Sequence, residues 1–360
     1  MSKIVSIGTA VPQYKHEQKR ILEFMQTVYA VNEVDKRKLR YLYQHSGIGT
    51  RYSAIPDFSL PASEWKFFNA TENLEPFPSL DKRMKCFHQN AGQLAFDAVN
   101  NCIRENEWQN ITHLITVSCT GMSAPGLDLE LLERLNLSPN TWRTSINFMG
   151  CYAAIHAMKL ADLICRAEPK ANVLMVCVEL CTLHFQKEYT EDNITSSLLF
   201  GDGAAALLIS ADKNKEGLEI EHFYSNVSFK GKQDMSWEMS SKGFLMTLSG
   251  YVPSLIEEDF NGLVQGALDQ AQLKKEDITH WCVHPGGKRI LEAVHHSLGF
   301  TNGQLQHCYD VLNDYGNLSS PTVLFVLDRI RNSLITGRPN RIFGAAFGPG
   351  LTMETFILSA

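Results

Sequence analysis

Stretches of apolar and polar positions alternate along the chain in a way that predicts strands and helices in turn. A short apolar run, Ile4-Val5-Ser6-Ile7, ends at Gly8 and predicts a strand. Polar residues at helical spacing follow from about Glu17 to Gln44. Residues 53 to 85 are rich in Pro, aromatics and Asn without a sustained period, predicting an irregular excursion that returns to order near Pro78-Ser79-Leu80-Asp81-Lys82-Arg83. Helical spacing resumes from Cys86 to Glu105. Ile111 to Ser118 then reads as a strand, Cys119 to Gly126 as a loop of turn formers, and 127 to 135 as a helix. An apolar strand runs up to Met149, Gly150 is its turn, and good helix formers continue from Tyr152. The strand Val173–Val178, a polar stretch through Asn193, and a loop entering a buried strand over Ser197–Ile209 complete the first half. A charged linker, 211 to 217, separates two expected units, residues 1–210 and 218–360.

The second unit echoes the first. Ile278-Thr279-His280 and its strand repeat Ile111-Thr112-His113, while Asn147, Gly150, Asp162 and Ile164 recur 166 residues later as Asn313, Gly316, Asp328 and Ile330. The near-constant offset points to an ancient duplication and two α/β halves about a pseudo-two-fold axis. Cys151 and Asn317 would then occupy equivalent turn-to-helix junctions, with the loop at His284 equivalent to the one beginning near Val117.

The helix after Gly150 is apolar except for a stripe of His156, Lys159 and Asp162, so it should be buried. A cysteine in its first turn faces unpaired N–H groups and the positive end of the helix dipole, which favour thiolate. Cys151 is therefore either a nucleophile or a small core residue at a tight turn. Paired with a histidine and an asparagine it could do nucleophilic chemistry: His284 would stabilise the thiolate as an ion pair, and Asn317 would offer a fixed donor to an oxygen gaining charge. Singly, His284 could be a surface or capping residue, Asn317 a helix cap before Ser319-Ser320-Pro321, and Phe200 a core aromatic.

Composition narrows the setting. With 44% hydrophobic and 20% charged residues the 360-residue chain is globular. Its net charge of −6, without a long Lys/Arg run, argues against nucleic-acid or anionic-membrane partners, although Lys36, Arg37, Lys38 and Arg40 form a small basic cluster that is either a solvated helix face or a phosphate contact. The amino terminus lacks a signal peptide's apolar core, and no apolar stretch reaches the roughly 18 residues of a membrane span, so a cytoplasmic location is expected. Nine scattered cysteines, none spaced C-x-x-C, fit a reducing compartment with neither a disulfide framework nor a structural zinc site.

Taken together, Met149-Gly150-Cys151, Leu199-Phe200-Gly201-Asp202-Gly203-Ala204, His284-Pro285-Gly286-Gly287, Tyr315-Gly316-Asn317-Leu318-Ser319-Ser320 and Phe347-Gly348-Pro349-Gly350-Leu351 resemble the type III polyketide synthases, the chalcone synthase family, over nearly the whole chain. Pro78-Ser79-Leu80-Asp81 is a further match. The resemblance implies an α/β, thiolase-like fold of two duplicated halves, a homodimer, and iterative condensation of malonyl-coenzyme A onto an acyl or malonyl starter, with no metal or redox cofactor. Cys151 would carry the growing chain, His284 and Asn317 would stabilise the enolate left by decarboxylation, and Phe200 would gate the coenzyme A tunnel. At positions resembling the family's pocket stand Met246 for a second gatekeeping Phe, Trp237 for a plant Gly, Cys119 and Thr120 in a lining loop, and His184 for a plant Thr. Gly348 and Pro349 belong to the tail motif, and Lys38 is the basic coenzyme A contact retained, with Tyr41 and His45 at the others. Trp237 and Met246 favour a short extension of an aliphatic or malonyl starter, released as a pyrone or cyclised phenolic. The rival expectations are a carrier-protein-dependent ketoacyl synthase and a non-catalytic acyl-binding relative.

Overall fold

The computed structural model of the chain describes all residues except Met1, Ala30, Val31, Asn302 and Thr336. β1 (Lys3–Ala10) is followed by β2 (Tyr14–Glu17), α1 (Gln18–Tyr29) and α2 (Glu33–His45). The helix expected over 17 to 44 is thus two helices, because Asn32 caps the second by accepting the N–H groups of Val34 and Asp35. Ala30 and Val31, inside that expected helix, lie outside the described residues. After β3 (Thr50–Ser53) the excursion ends at α3 (Leu80–Cys102). This helix starts earlier than the expected Cys86, since the Ser79 hydroxyl accepts the Lys82 N–H and Asp81 lies in its first turn.

β4 (His113–Ser118), α4 (Leu127–Arg134) and β5 (Trp142–Asn147) follow. β5 is an edge strand that stops at Asn147, two residues before the expected Met149, because Phe148 turns into the left-handed region at φ +58°. Next come α5 (Ala153–Ala167), β6 (Asn172–Leu180), α6 (Glu191–Leu199) and β7 (Asp202–Ser210). Residues 197 to 199, expected in a loop, close α6, whose start is capped by Thr190. On α5, Lys159 pairs with Glu354, and buried Asp162 accepts from Ser2 and pairs with Arg166.

Past the linker lie β8 (Leu218–Val227), the hairpin β9 (Met235–Ser240) and β10 (Gly243–Leu248), α7 (Val252–Ala271), β11 (His280–Val283) and α8 (Lys288–Ser297). The chain finishes with α9 (Gln306–Tyr315), α10 (Thr322–Ser333), β12 (Arg341–Gly348) and β13 (Thr352–Ser359). Among the described residues no helix is long and apolar enough to cross a membrane.

Nine strands hydrogen-bond in the order β5-β4-β6-β7-β1-β8-β13-β12-β11. Outward from the seam between β1 and β8, each arm runs antiparallel, antiparallel, then parallel. That mirrored order is the pseudo-two-fold arrangement of duplicated halves. The seam consists of the pairs Lys3 with Glu219 and Ile4 with Leu218. One element departs from the duplication: β5, paired with β4, has no counterpart strand in the second half, where α9 takes its place in chain order, burying Cys308, Val311 and Leu312 at helical spacing. The match of Asn147 with Asn313 therefore sets a strand end against a helix, whereas Asp162 and Asp328 do fall on corresponding helices, α5 and α10.

Candidate active site

The turn before α5 fixes the candidate nucleophile. Gly150 opens a 3₁₀ turn over Gly150–Tyr152 at φ +75°, and a Cβ there would lie 2.3 Å from Cδ of Pro349. Only glycine fits. The Gly150 N–H donates to Sγ of Cys119 at 3.1 Å, and Gly348 packs so closely behind the turn that a Cβ on it would meet the Tyr152 ring at 2.5 Å. Gly348 is thus backing for the nucleophile rather than chamber wall; Pro349 does line the chamber.

Asn317 follows Gly316, which takes φ +69°, and is clamped to Phe200 by the bonds Gly201 N–H to Asn317 O and Asn317 N–H to Leu199 O, both 2.9 Å. Its Oδ1 accepts the Ser319 N–H at 2.8 Å, which fixes the amide's orientation. One Nδ2 hydrogen goes to Gly286 O at 3.2 Å, leaving the other free to serve the chamber. The Cys151 thiol lies 3.7 Å from Ser319 Oγ and 3.9 Å from Asn317 Oδ1. His284 sits just past β11, with its backbone N–H on Ala345 O at 2.8 Å; its ring is buried and Nδ1 has no partner among the described residues.

Electrostatics set these groups in neutral forms at rest. Burial pushes the Cys151 thiol up to about 12, against the smaller opposing help of Ser319 and Asn317, and pushes His284 down to about 3. The thiolate that the turn-to-helix junction was expected to favour is opposed by desolvation, and by the buried carboxyl of Glu179 nearby. No hydrogen bond joins Cys151 to His284 in this resting arrangement among the described residues; both line one chamber with Asn317 and Phe200.

Glu179, five residues before His184, proves to be a central brace. Fully buried on β6, it accepts from Cys119 N–H (2.9 Å), Thr120 Oγ1 (2.8 Å) and Ser320 Oγ (2.8 Å), tying the Cys119 loop to the segment that carries Asn317. Burial raises its carboxyl to about 7. Its one sequence signal is a lone acid inside the apolar run of β6.

The chamber has a volume of about 540 Å³. One wall is aromatic: His184 Nε2 donates to Thr120 O at 2.7 Å and Nδ1 accepts the Phe244 N–H at 3.0 Å, while its ring stacks on Phe244 at 4.2 Å. Those partners fix the neutral tautomer, and burial holds the imidazole at about 3. Trp237 lies edge-on to His184 and donates Nε1–H to Cys119 O at 2.7 Å; Met246 faces it across the hairpin. Tyr41 and His45 of α2 and Lys288 and Arg289 of α8 also line the chamber and are exposed or half-exposed, so they mark its open side. Lys38 does not line the chamber; it is half exposed and lies 3.8 Å from Glu191.

Comparison with known proteins agrees with this geometry. Family models described as "Chalcone and stilbene synthases, N-terminal domain" and "C-terminal domain" match residues 1–213 and 224–360. The "Putative chalcone synthase" of Bacillus subtilis (strain 168) is 30% identical, covering 100% of this chain and 99% of that protein. The "Alpha-pyrone synthesis polyketide synthase-like Pks18" of Mycobacterium tuberculosis is 31% identical over 89% of this chain and 81% of its own. The chain also matches, at 28% identity over 98% of its length, 11% of the "Probable polyketide synthase 1" of Dictyostelium discoideum. Among solved structures, PKS-I from the brown alga Ectocarpus siliculosus superposes with a TM-score of 0.90 at 30% identity, covering 99% of this chain and 97% of that one. These matches support neither the carrier-dependent nor the non-catalytic alternative. By sequence, by the thiolase-like fold and over its whole length, the chain belongs to the chalcone and stilbene synthase family, the acyltransferases called type III polyketide synthases.

Proposed function

We propose that the chain loads an acyl or malonyl starter from coenzyme A onto Cys151 and extends it with malonyl-coenzyme A, releasing a pyrone or cyclised phenolic. The observation that carries this reading is the convergence of Cys151, His284 and Asn317, from three separate segments, on one sheltered chamber. As sulfur attacks the starter carbonyl, His284 takes the thiol proton and returns it to the departing sulfur, so that coenzyme A leaves as its thiol and the imidazole is neutral again. A malonyl thioester then binds with its carbonyl oxygen toward the free Asn317 Nδ2–H and the His284 ring. Loss of carbon dioxide leaves an enolate whose charge these donors stabilise in a dry site. The enolate carbon attacks the Cys151 thioester, forms the new carbon–carbon bond and frees the sulfur.

The Trp237 and His184 wall favours short products from an aliphatic or malonyl starter, and the name of the M. tuberculosis relative favours a pyrone. Lys288 and Arg289, with Tyr41 and His45, would meet the coenzyme A phosphates. The half-exposed edge of β5, with Trp142 48% exposed, suits a homodimer, and nine free cysteines suit the cytoplasm.

The test is incubation with radiolabelled malonyl-coenzyme A and a panel of acyl-coenzyme A starters, resolved by mass, beside Cys151→Ala. Starter-dependent polyketides that vanish in the variant are expected. Turnover of carrier-bound malonyl alone would overturn the reading.

A further inference from the structure

On the other side of the chamber wall from Cys151 lies a second concavity, a recess of about 740 Å³. Two segments contribute neighbouring residues to both spaces: Ser53 lines the chamber while Ala54 and Ile55 line the recess, and Cys181 and Thr182 line the chamber while Leu180 lines the recess. Asp202 stitches the two segments together. Its carboxylate accepts Thr182 N–H (2.8 Å), Thr182 Oγ1 (2.7 Å) and Ala54 N–H (2.8 Å). The Leu180 N–H in turn donates to Oγ1 of Thr120, a chamber residue, at 2.9 Å.

The recess has a chemistry of its own. Ile55, Phe67, Leu94 and Leu180 give it an apolar floor, and Lys66, Lys82 and Lys85 stand around it. None of the three lysines has a carboxylate partner among the described residues; Lys82 instead donates to Phe67 O and lies 5.3 Å over the Phe67 ring. Asp97, the one acid lining the recess, is engaged by Gln93 at 2.8 Å. The loop carrying Lys66 and Phe67 is held in shape by buried Asp57, which accepts the N–H groups of Lys66 (2.9 Å), Phe67 (2.8 Å) and Phe68 (2.7 Å). Three unpaired cations around an apolar floor, on a chain of net charge −6, make a place for an anion with a greasy body.

We propose that this recess is an effector site for a small organic anion with an apolar tail, the class of a medium-chain carboxylate, and that its occupancy shifts the Cys181–Thr182 face of the reaction chamber. Binding there does not depend on the reaction assigned to the chamber. The effect on the chamber does, and the experiment separates the two.

Cys86 lines the recess and is partly open to solvent, so it reports occupancy locally. The full-length protein is treated with N-ethylmaleimide and Cys86 labelling is followed by peptide mass spectrometry, with octanoate, inorganic phosphate or octanol present. Octanoate is expected to slow Cys86 labelling at least about fivefold, phosphate and octanol at equal concentration to leave it unchanged, and Lys82→Gln with Lys85→Gln to remove the protection. Labelling that ignores octanoate overturns the site, and protection by phosphate alone overturns the amphiphile class. The octanoate titration is then repeated on Cys151→Phe protein, in which the added ring occupies the chamber and Cys86 stays free to report. Reciprocity of coupling requires the octanoate dissociation constant to move, by roughly fivefold or more for a functional link. An unchanged constant overturns the effector role while leaving the site.

Discussion

Replacing Glu179 by Gln isolates the cost of keeping a carboxyl in the middle of the fold. The group titrates at about 7 in the folded protein, against about 4.3 in an unfolded chain. Between those values the folded state holds a proton that the unfolded chain has released. Stability from this group is therefore lost as pH rises through the window, by up to about 1.4 kcal/mol per pH unit. From pH 5 to pH 8 the loss amounts to about 2.5 kcal/mol. His16, His184 and His284, held at about 4, 3 and 3, slope the opposite way, since neutral folded imidazoles gain relative stability as pH rises toward 6.5. Asp202, raised to about 6, slopes with Glu179 but through a lower window. All of these are common to wild type and variant and cancel in the difference. At pH 5 the variant should be about 1–2 kcal/mol less stable, because one of the donors now on Glu179 would meet the Gln NH₂. Equilibrium urea unfolding at fixed protein concentration from pH 5 to pH 8 gives the wild-type advantage, which should fall by about 2.5 kcal/mol and change sign. An advantage constant to within about 0.5 kcal/mol, or one that grows with pH, would refute the buried, proton-holding role.

Other perturbations follow from the same geometry. Asn317→Asp keeps the acceptor for Ser319 but removes the Nδ2 donor, so single-turnover loading of Cys151 should survive while extension falls about 10²–10³-fold. Gly150→Ala must fit a Cβ against Pro349 at positive φ; about 2–4 kcal/mol of stability and about 10²-fold in loading rate should be lost, read by urea unfolding and by the acylation burst. Trp237→Gly removes the indole from the aromatic wall, and product masses should shift toward longer chains; an unchanged distribution would show that the wall does not set length. Arg83 is fully buried and serves Pro78 O and Phe185 O at 3.1 and 3.0 Å, so Arg83→Met should cost about 3 kcal/mol in unfolding free energy.

Features that depend on neighbouring residues were legible before the fold was known. Gly150 and Cys151 announce a strand-turn-helix because a turn glycine separates two periods, and the charged linker stands where β7 hands over to β8. What escaped depends on partners distant in sequence. Glu179 looks like an accident in an apolar strand until Cys119, Thr120 and Ser320 arrive from elsewhere to bond it. Gly348 is visible as part of a tail motif, but the ring it must make room for, Tyr152, is not. Lys38 reads as a coenzyme A contact and is turned to Glu191, while the cations at the mouth, Lys288 and Arg289, come from a helix that carries no motif. The duplication is visible at its helices and misleading at β5, where one half kept a strand and the other has a helix.

The contact of Gly150 with Pro349 also has a consequence for the making of the enzyme. Pro349 belongs to a segment synthesised long after the nucleophile, and β13, which follows it, must thread between β8 and β12 to finish the sheet. At about 5–20 residues per second, a nascent chain waits roughly 10–40 s between the emergence of its cysteine and the arrival of the proline that packs against its turn. The burial that raises the Cys151 thiol to about 12 therefore waits on late-made residues, and an emerging chain carries a cysteine of ordinary, lower pKa until Pro349 packs beside Gly150.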